Sequence, residues 1–372
     1  MMRFIIFALF CCIFTLAACS SSNKKPPKLA VSTPNAPAMI EWRASSGNAG
    51  PGFVPAVVAD AVYVASKSGR VQRLNGENGN VQWTREVSAP LSAGPGADYS
   101  LVVVGTTMGE VVAFGDEGSE RWRARVSSEI VAPPAVSSGL VVVFTADNRV
   151  HALSASDGSA KWMFQRSVPS LIVRNHQGAT TSRGALFFGT AGGRLLAVDL
   201  ESGNIAWDVA ASTPKGATEL ERISDVTSRP LVEENQVCAA AFQGRITCFD
   251  IMRGTPVWTR DIPSYSGIVA DAQYLYVSDD KGALHALDKK NGASVWKNET
   301  LAGRWPSGPQ LLGYDIAVID IDGYLHVFDS EDGHYLGRMA TDGSAATAQP
   351  QLDGDQIIWQ SKNGNVYSVV PR

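Results

Sequence analysis

The stretch Gly193-Arg194-Leu195-Leu196-Ala197-Val198-Asp199-Leu200-Glu201-Ser202-Gly203-Asn204-Ile205-Ala206-Trp207 decides the fold, because it recurs. Gly244-Arg245-Ile246-Thr247-Cys248-Phe249-Asp250 repeats its first half and is followed by Gly254 and Trp258. Gly282-Ala283-Leu284-His285-Ala286-Leu287-Asp288 repeats it again and is followed by Gly292 and Trp296. The template is a glycine, an alternating strand, often an Asp, a glycine-containing turn, and a Trp four residues after the turn glycine. Its opening position falls at Gly69, Gly109, Asn148, Gly193, Gly244, Gly282, Gly323 and Gly364, spaced by 38–41 residues except for intervals of 45 and 51 on either side of Gly193. The Trp position holds Trp83, Trp122, Trp162, Trp207, Trp258 and Trp296, with Gly337 in seventh place and a further copy upstream at Trp42.

Each period reads as four short strands. In the first, 53–58, 61–65, 71–74 and 81–86 are apolar or alternating runs separated by Gly, Asn and Ser clusters, the pattern of hairpin-linked β-strands. No helical periodicity of useful length appears after residue 40. Four strands in about 40 residues is the spacing of propeller blades, which cannot bury both faces alone but can in a ring. The expected fold is all-β: an eight-bladed β-propeller of quinoprotein-like repeats with four antiparallel strands per blade. The last blade lacks its Trp-bearing strand, because the sequence stops at Arg372. Met39-Ile40-Glu41-Trp42-Arg43 supplies that strand from the other terminus, pairing backbone groups that would otherwise be left open. The Trp position is read as packing against the neighbouring blade.

Composition agrees with a large folded domain: 372 residues, 45% hydrophobic and 18% charged, with a formal charge of −4. Length alone would suggest two or three domains; the repeat gives one, over 39–372. No basic run exceeds Lys24-Lys25, so nucleic acid is not an expected partner.

The N-terminus reads as a lipoprotein signal peptide over 1–18. Arg3 precedes a 13-residue apolar stretch, and Leu16-Ala17-Ala18-Cys19 has the form of a lipobox. Processing before Cys19 would leave that cysteine lipidated, an anchor made stable by several acyl chains. Ser20 after the cysteine resembles outer-membrane sorting in Gram-negative lipoproteins. The stretch 19–38, rich in Ser, Asn, Lys and Pro, reads as a lipidated flexible tether. Cys238 and Cys248 lie equally far from Gln243 at the turn of one hairpin. A cross-strand disulfide is one reading in an oxidising compartment; two buried thiols packing as small hydrophobes is the expectation here.

Chemistry is hard to find. His151, His285 and His326 share one repeat position, occupied elsewhere by Gln72, Val112, Leu196, Thr247 and Tyr367. A position that accepts all of these is a packing position, and the three His fall on different blades, which disfavours a common metal site. Asp199, Asp250, Asp288 and Asp329 also recur, before a turn, where Asp hydrogen-bonds backbone two residues on. The repeat resembles that of quinoprotein alcohol dehydrogenases, which bind pyrroloquinoline quinone and calcium and place adjacent cysteines near the cofactor. The one adjacent pair here, Cys11-Cys12, lies in the leader. No catalytic residue, cofactor or metal is expected, and shared fold does not carry activity.

The two long intervals place insertions within 166–184 and 211–229, in adjacent blades, so that they can form one surface. The first holds Ser170-Leu171-Ile172-Val173-Arg174-Asn175. The second holds Glu219-Leu220-Glu221-Arg222-Ile223-Ser224-Asp225-Val226-Thr227, in which 219–223 reads as a short helical turn. Aliphatic anchors ringed by charge suit protein docking.

The lipobox, the Pro-rich tether, the eight-blade ring and these loops together resemble the BamB family, lipoproteins of the complex that folds β-barrels into the Gram-negative outer membrane. The resemblance covers the whole chain and is sharpest at Ile223-Ser224-Asp225-Val226 and Pro169-Ser170-Leu171. It implies a monomeric, non-enzymatic scaffold at the periplasmic face of the outer membrane, docked on the POTRA domains of the barrel protein BamA. The family's Leu-x-Leu-Arg segment corresponds to Leu171, Val173 and Arg174; its Asp-x-Asp segment corresponds to Asp225 and Thr227, which loses one acid. On this reading Arg174 and Asp225 are rim charges around apolar contact from Leu171 and Val173. Unfolded barrel chains are a second implied partner, by strand addition to exposed edges, though a propeller leaves only short ones. The alternatives are a quinone-dependent oxidoreductase-like propeller, and a cell-wall or carbohydrate-binding propeller using Tyr265, Trp305 and Tyr314.

Overall fold

The computed structural model describes residues 26–29, 35–167, 171–173 and 178–372. Every regular element in it is a β-strand. The strands form eight four-stranded antiparallel sheets, each a run of consecutive strands except the last. Numbered in chain order, blade one is Ala56–Val58, Ala61–Ala65, Arg70–Asn75 and Val81–Glu86. Blade eight is Gln351–Asp353, Gln356–Gln360 and Asn365–Pro371, completed by Ala38–Ser45 from the other end of the chain. The pairing runs from Ala38 opposite Pro371 to Ser45 opposite Asn365. The ring is closed as the split repeat requires, and closure hides the backbone of an unfinished sheet.

Within each blade the two middle strands are almost wholly buried, as in Ala61–Ala65 and Leu101–Gly105. Both faces of these strands meet a neighbouring blade, so they read as continuous apolar runs. The outer strands bury little besides the Trp, as in Val81–Glu86 and Pro256–Arg260.

The recurrent Trp has a defined task. Its ring lies against the turn glycine of the next blade: Trp42 on Gly79, Trp83 on Gly118, Trp122 on Gly158, Trp162 on Gly203, Trp207 on Gly254, Trp258 on Gly292, and Trp296 on Gly333. Each indole N–H donates to a backbone carbonyl of that same turn, for example Trp258 to Lys289 at 3.0 Å and Trp296 to Ser330 at 2.9 Å. Each of these glycines has positive φ, and at Gly292 an added Cβ would lie 2.4 Å from the Trp258 ring. The turn therefore needs glycine twice, for its backbone conformation and for the indole it supports. The recurrent Asp before this turn behaves as expected: Asp250 accepts from the amides of Met252 and Arg253, and Asp288 from those of Lys290 and Asn291.

Gly337 now has an explanation. A Trp there would face the third-to-fourth-strand turn of blade eight, and blade eight has no such turn, because the chain termini occupy its place. Instead Asn35 pairs with Arg338, beside Gly337, and the Ala36 amide donates to the Arg338 carbonyl.

Two expectations change. Cys238 and Cys248 stand directly opposite each other in the register of their hairpin and form a disulfide, not a pair of free thiols. The tether is not wholly free of the ring: the Pro27 carbonyl accepts from Arg304 at 2.6 Å, and Leu29 packs at the edge of the cluster containing Tyr276, Trp296 and Leu301. The lipobox and Cys19 lie outside the described residues.

The shared His position is buried in blades six and seven. His285 and His326 also each bond an Asp of the preceding turn, Asp279 and Asp320, both at 2.9 Å. Burial lowers the His326 pKa despite the adjacent carboxylate. Arg304 lies against Asp320 and Asp322. These are local ties within a blade.

Candidate functional site

Strands alternate direction, so the connections between blades share one face of the ring with the second-to-third-strand turns. On that face the connections 166–179 and 211–230, leading into blades four and five, are the longest. The second is built in two parts. Its tip is a single helical turn closed by a capping box. Thr218 Oγ1 accepts the Glu221 amide at 3.3 Å, and the Glu221 carboxylate accepts the amides of Thr218 at 3.0 Å and Ala217 at 2.8 Å. Those backbone bonds hold the Glu221 carboxyl below its usual range. Arg222 donates to the Gly216 carbonyl and pairs with Glu219. The turn thrusts Leu220 outward, 67% exposed.

The second part, 224–228, is buried. Asp225 is 1% exposed. One of its carboxylate oxygens accepts the Val173 amide at 2.6 Å and the other accepts the Gly192 amide at 2.9 Å. Its own carbonyl accepts the Phe242 amide at 2.8 Å. Val226 bonds Thr190, pairs with Ala241, and fills the space over Gly189. Asp225 thus joins the first insertion, the blade-four turn at Gly192 and the blade-five turn at Phe242. A carboxylate that accepts from two backbone amides is a strong tie.

Of the residues expected at this surface, Leu171 is 42% exposed and Val173 is half-buried. Arg174 lies outside the described residues. Asp225 and Thr227 are not rim groups: both are 1% exposed and face inward. The acid is drawn in because the Val173 and Gly192 amides need an acceptor. Thr227 lines a cavity of about 20 Å³, room for about one water. Leu220 belongs with Leu171 as an exposed apolar group on these loops. The signal for it was the Thr218-x-x-Glu221 capping box, which orients the residue between. The base of the loops is further tied by Asp208, which pairs with both Arg166 and Arg194. Of the three aromatics considered for carbohydrate, Tyr265 and Trp305 line one cavity on this face, while Tyr314 is absent from its lining and stands 96% exposed on a first-to-second-strand turn.

A closed ring of eight blades, latched by Trp on glycine and carrying two interlocked insertions on one face, defines a β-propeller of the repeat type seen in quinoproteins. The same fold appears in a quinohemoprotein alcohol dehydrogenase from Comamonas testosteroni, at 13% identity and a TM-score of 0.72, covering 90% of this chain and 76% of that one.

The nearer likenesses are more particular. The family model described as outer membrane protein assembly factor BamB matches residues 67–298. The outer membrane protein assembly factor BamB of Bordetella pertussis is 36% identical over 364 residues, spanning 96% of this chain and 94% of the relative. That of Nitrosomonas eutropha is 39% identical over 317 residues, spanning 85% and 78%. The crystal structure of BamB from Moraxella catarrhalis superposes with a TM-score of 0.81 at 26% identity, covering 88% of this chain and 99% of that one. The chain belongs to the BamB family of outer membrane protein assembly factors.

Proposed function

We propose that this protein is a non-enzymatic scaffold that docks the periplasmic POTRA domains of a BamA-like barrel assembly protein. It is held at the inner face of the outer membrane by lipid on Cys19, through the tether 19–38. The observation that carries the reading is the interlock of the two insertions. Asp225 fixes the first insertion to the base of the second, so that exposed Leu171 and Leu220 project from one face on a supported frame. Preorganised apolar anchors with charge at their margin are what a docking patch needs. Val173 and Arg174 continue the first anchor; Glu219 and Arg222 surround the second. Asp225 and Thr227 act by shaping the patch from beneath. The outer strands are short and largely polar on their exposed surface, which favours organising partner modules over strand addition to unfolded barrel chains.

Co-purification from mildly solubilised outer membranes tests this. Leu171→Asp with Leu220→Asp is expected to abolish recovery of the barrel assembly protein while the ring stays folded, and Arg174→Glu to reduce it. Full recovery with all three changes would place the docking surface elsewhere.

A further inference from the structure

Pro26-Pro27-Lys28-Leu29 lies against the ring, although the propeller repeat does not call for it there. It seats on the connection between blades six and seven, 299–309, which runs on the face that carries the two insertions. That connection is pinned to the second-to-third-strand turns of both blades: the Gly303 amide donates to the Lys281 carbonyl at 2.8 Å, and the Ile321 amide to the Arg304 carbonyl at 3.1 Å. Pro27 lies over Gly303, where an added Cβ would stand 3.4 Å from the proline Cδ. Leu29 is half-buried against the cluster of Tyr276, Trp296 and Leu301, while Lys28 before it is exposed. Further along, Asn35 and Ala36 are tied to Arg338 on the outer strand of blade seven.

Arg304 makes this a built seat. Its side chain is 5% exposed. Nε donates to Asp320 at 2.7 Å, and Nη2 lies 2.6 Å from Asp320 and 2.7 Å from Asp322. Asp320 is fully buried and is held in turn by the amides of Asp322 and Tyr324 and by His326. Two carboxylates therefore fix the guanidinium plane and balance its charge. Nη1 is the nitrogen left over, and it donates to the Pro27 carbonyl at 2.6 Å. A further anion has no place beside two acids; a neutral carbonyl has. The chemistry of the segment matches this donor. Proline brings a carbonyl and no backbone N–H, and two prolines in succession favour an extended chain before it binds, so that seating it costs little conformational entropy.

We infer that residues 26–29 are a clasp: a proline segment that seats on Gly303, Arg304 and the Leu301 cluster and so fixes where the lipid anchor leaves the ring. The seat stands on these contacts alone; its effect at the membrane rests on lipid at Cys19. From Cys19 to Pro27 the chain reaches at most about 28 Å, against about 65 Å from Cys19 to Ala38 with the whole tether released. The clasp thus holds the ring within less than half the reach of an open tether. It also orients the ring. The edge of blades six and seven on the insertion face is the part nearest the membrane, and the face turned that way is the one that carries Leu171 and Leu220. The opposite face, with Tyr314 on its first-to-second-strand turn, is turned away.

Two measurements on the full-length chain test this. In mild detergent, trypsin cuts after Lys24 and after Lys28, and the mass of the ring fragment tells the two cuts apart. Cleavage of a seated segment follows the population of its released form. Wild type is expected to be cut at Lys28–Leu29 about tenfold or more slowly than a free peptide of residues 20–37, with Lys24–Lys25 cut at close to the peptide's rate. Arg304→Gln leaves the cleaved sequence unchanged and should remove most of that protection. Leu29→Ser, which alters no residue of the ring, should do the same relative to its own peptide, so the outcome does not depend on how well Arg304→Gln folds. In vesicles of phosphatidylethanolamine and phosphatidylglycerol that carry an acceptor-labelled lipid, energy transfer from a dye placed by Lys281→Cys should exceed that from one placed by Tyr314→Cys, and Leu29→Ser should shrink the difference. Peptide-like cleavage of wild type at Lys28–Leu29, or protection that survives both substitutions, would overturn the clasp. Equal transfer from the two dyes would overturn the orientation. Protein that fails to associate with the vesicles at all would count against lipid on Cys19 and so against the orientation, while the cleavage rates still decide the clasp.

Discussion

The ring and its insertions are stabilised in opposite ways. Seven blade junctions use the same device, an indole laid on the next blade's turn glycine and bonded to its carbonyl. The two insertions are joined to each other by one carboxylate, Asp225, reaching amides from two different segments, with Asp208 bracing the base of the first. Redundancy keeps the scaffold tolerant; a single tie leaves the loops free to have been shaped for one surface. The two arrangements should fail differently.

The largest effect is expected at a latch. Trp296 is 9% exposed, packs against Tyr276, and bonds Ser330. Trp296→Ala should cost about 3–5 kcal/mol, read as a lower midpoint in urea unfolding of the whole ring. An effect confined to exchange of amides near Ser330 and Gly333, with the global midpoint unchanged, would mean that junctions open singly and that the ring is not cooperative.

A smaller and more local effect is expected at the insertion tie. Asp225→Ala leaves the buried amides of Val173 and Gly192 without their acceptor, a local cost of about 1–3 kcal/mol in all once the loops open to let water reach them. Hydrogen exchange should accelerate at Val173, Gly192 and Phe242, with little movement of the unfolding midpoint. Recovery of the barrel assembly protein should fall even though residue 225 is buried. A global midpoint shift as large as that of Trp296→Ala would erase the distinction between redundant frame and single tie.

Much of the ring was legible because each feature was repeated. Spacing gave the blades, turn glycines gave the hairpins, and the missing Trp strand gave the closure by Trp42. What occurred once was harder to read. The family's Asp-x-Asp segment makes Asp225 read as a rim charge; its acceptor role depends on Val173 and Gly192, which sequence does not bring near. Cys238 and Cys248 were legible as hairpin partners, but equal distance from Gln243 does not tell thiols from a disulfide. Gly337 was visible as an exception, and only the position of Asn35 and Ala36 beside it supplied the reason.

That exception offers the finest test of the latch. If the Trp position is defined by the turn glycine it covers, then a Trp at position 337 has nothing to cover, and the space beside it already holds Asn35 and Ala36, the latter 3% exposed. Gly337 also has φ of 155°, a conformation a bulky residue adopts with strain. Gly337→Trp should therefore destabilise the ring by about 1–3 kcal/mol through overpacking, although it restores the consensus of the repeat. Loosening of the closing strand, read as faster exchange at Ala36 and at the Ala38–Ser45 amides, should accompany it. A gain in stability would show that the Trp latches by filling a general groove between outer strands, and that the glycine turn beneath it is incidental.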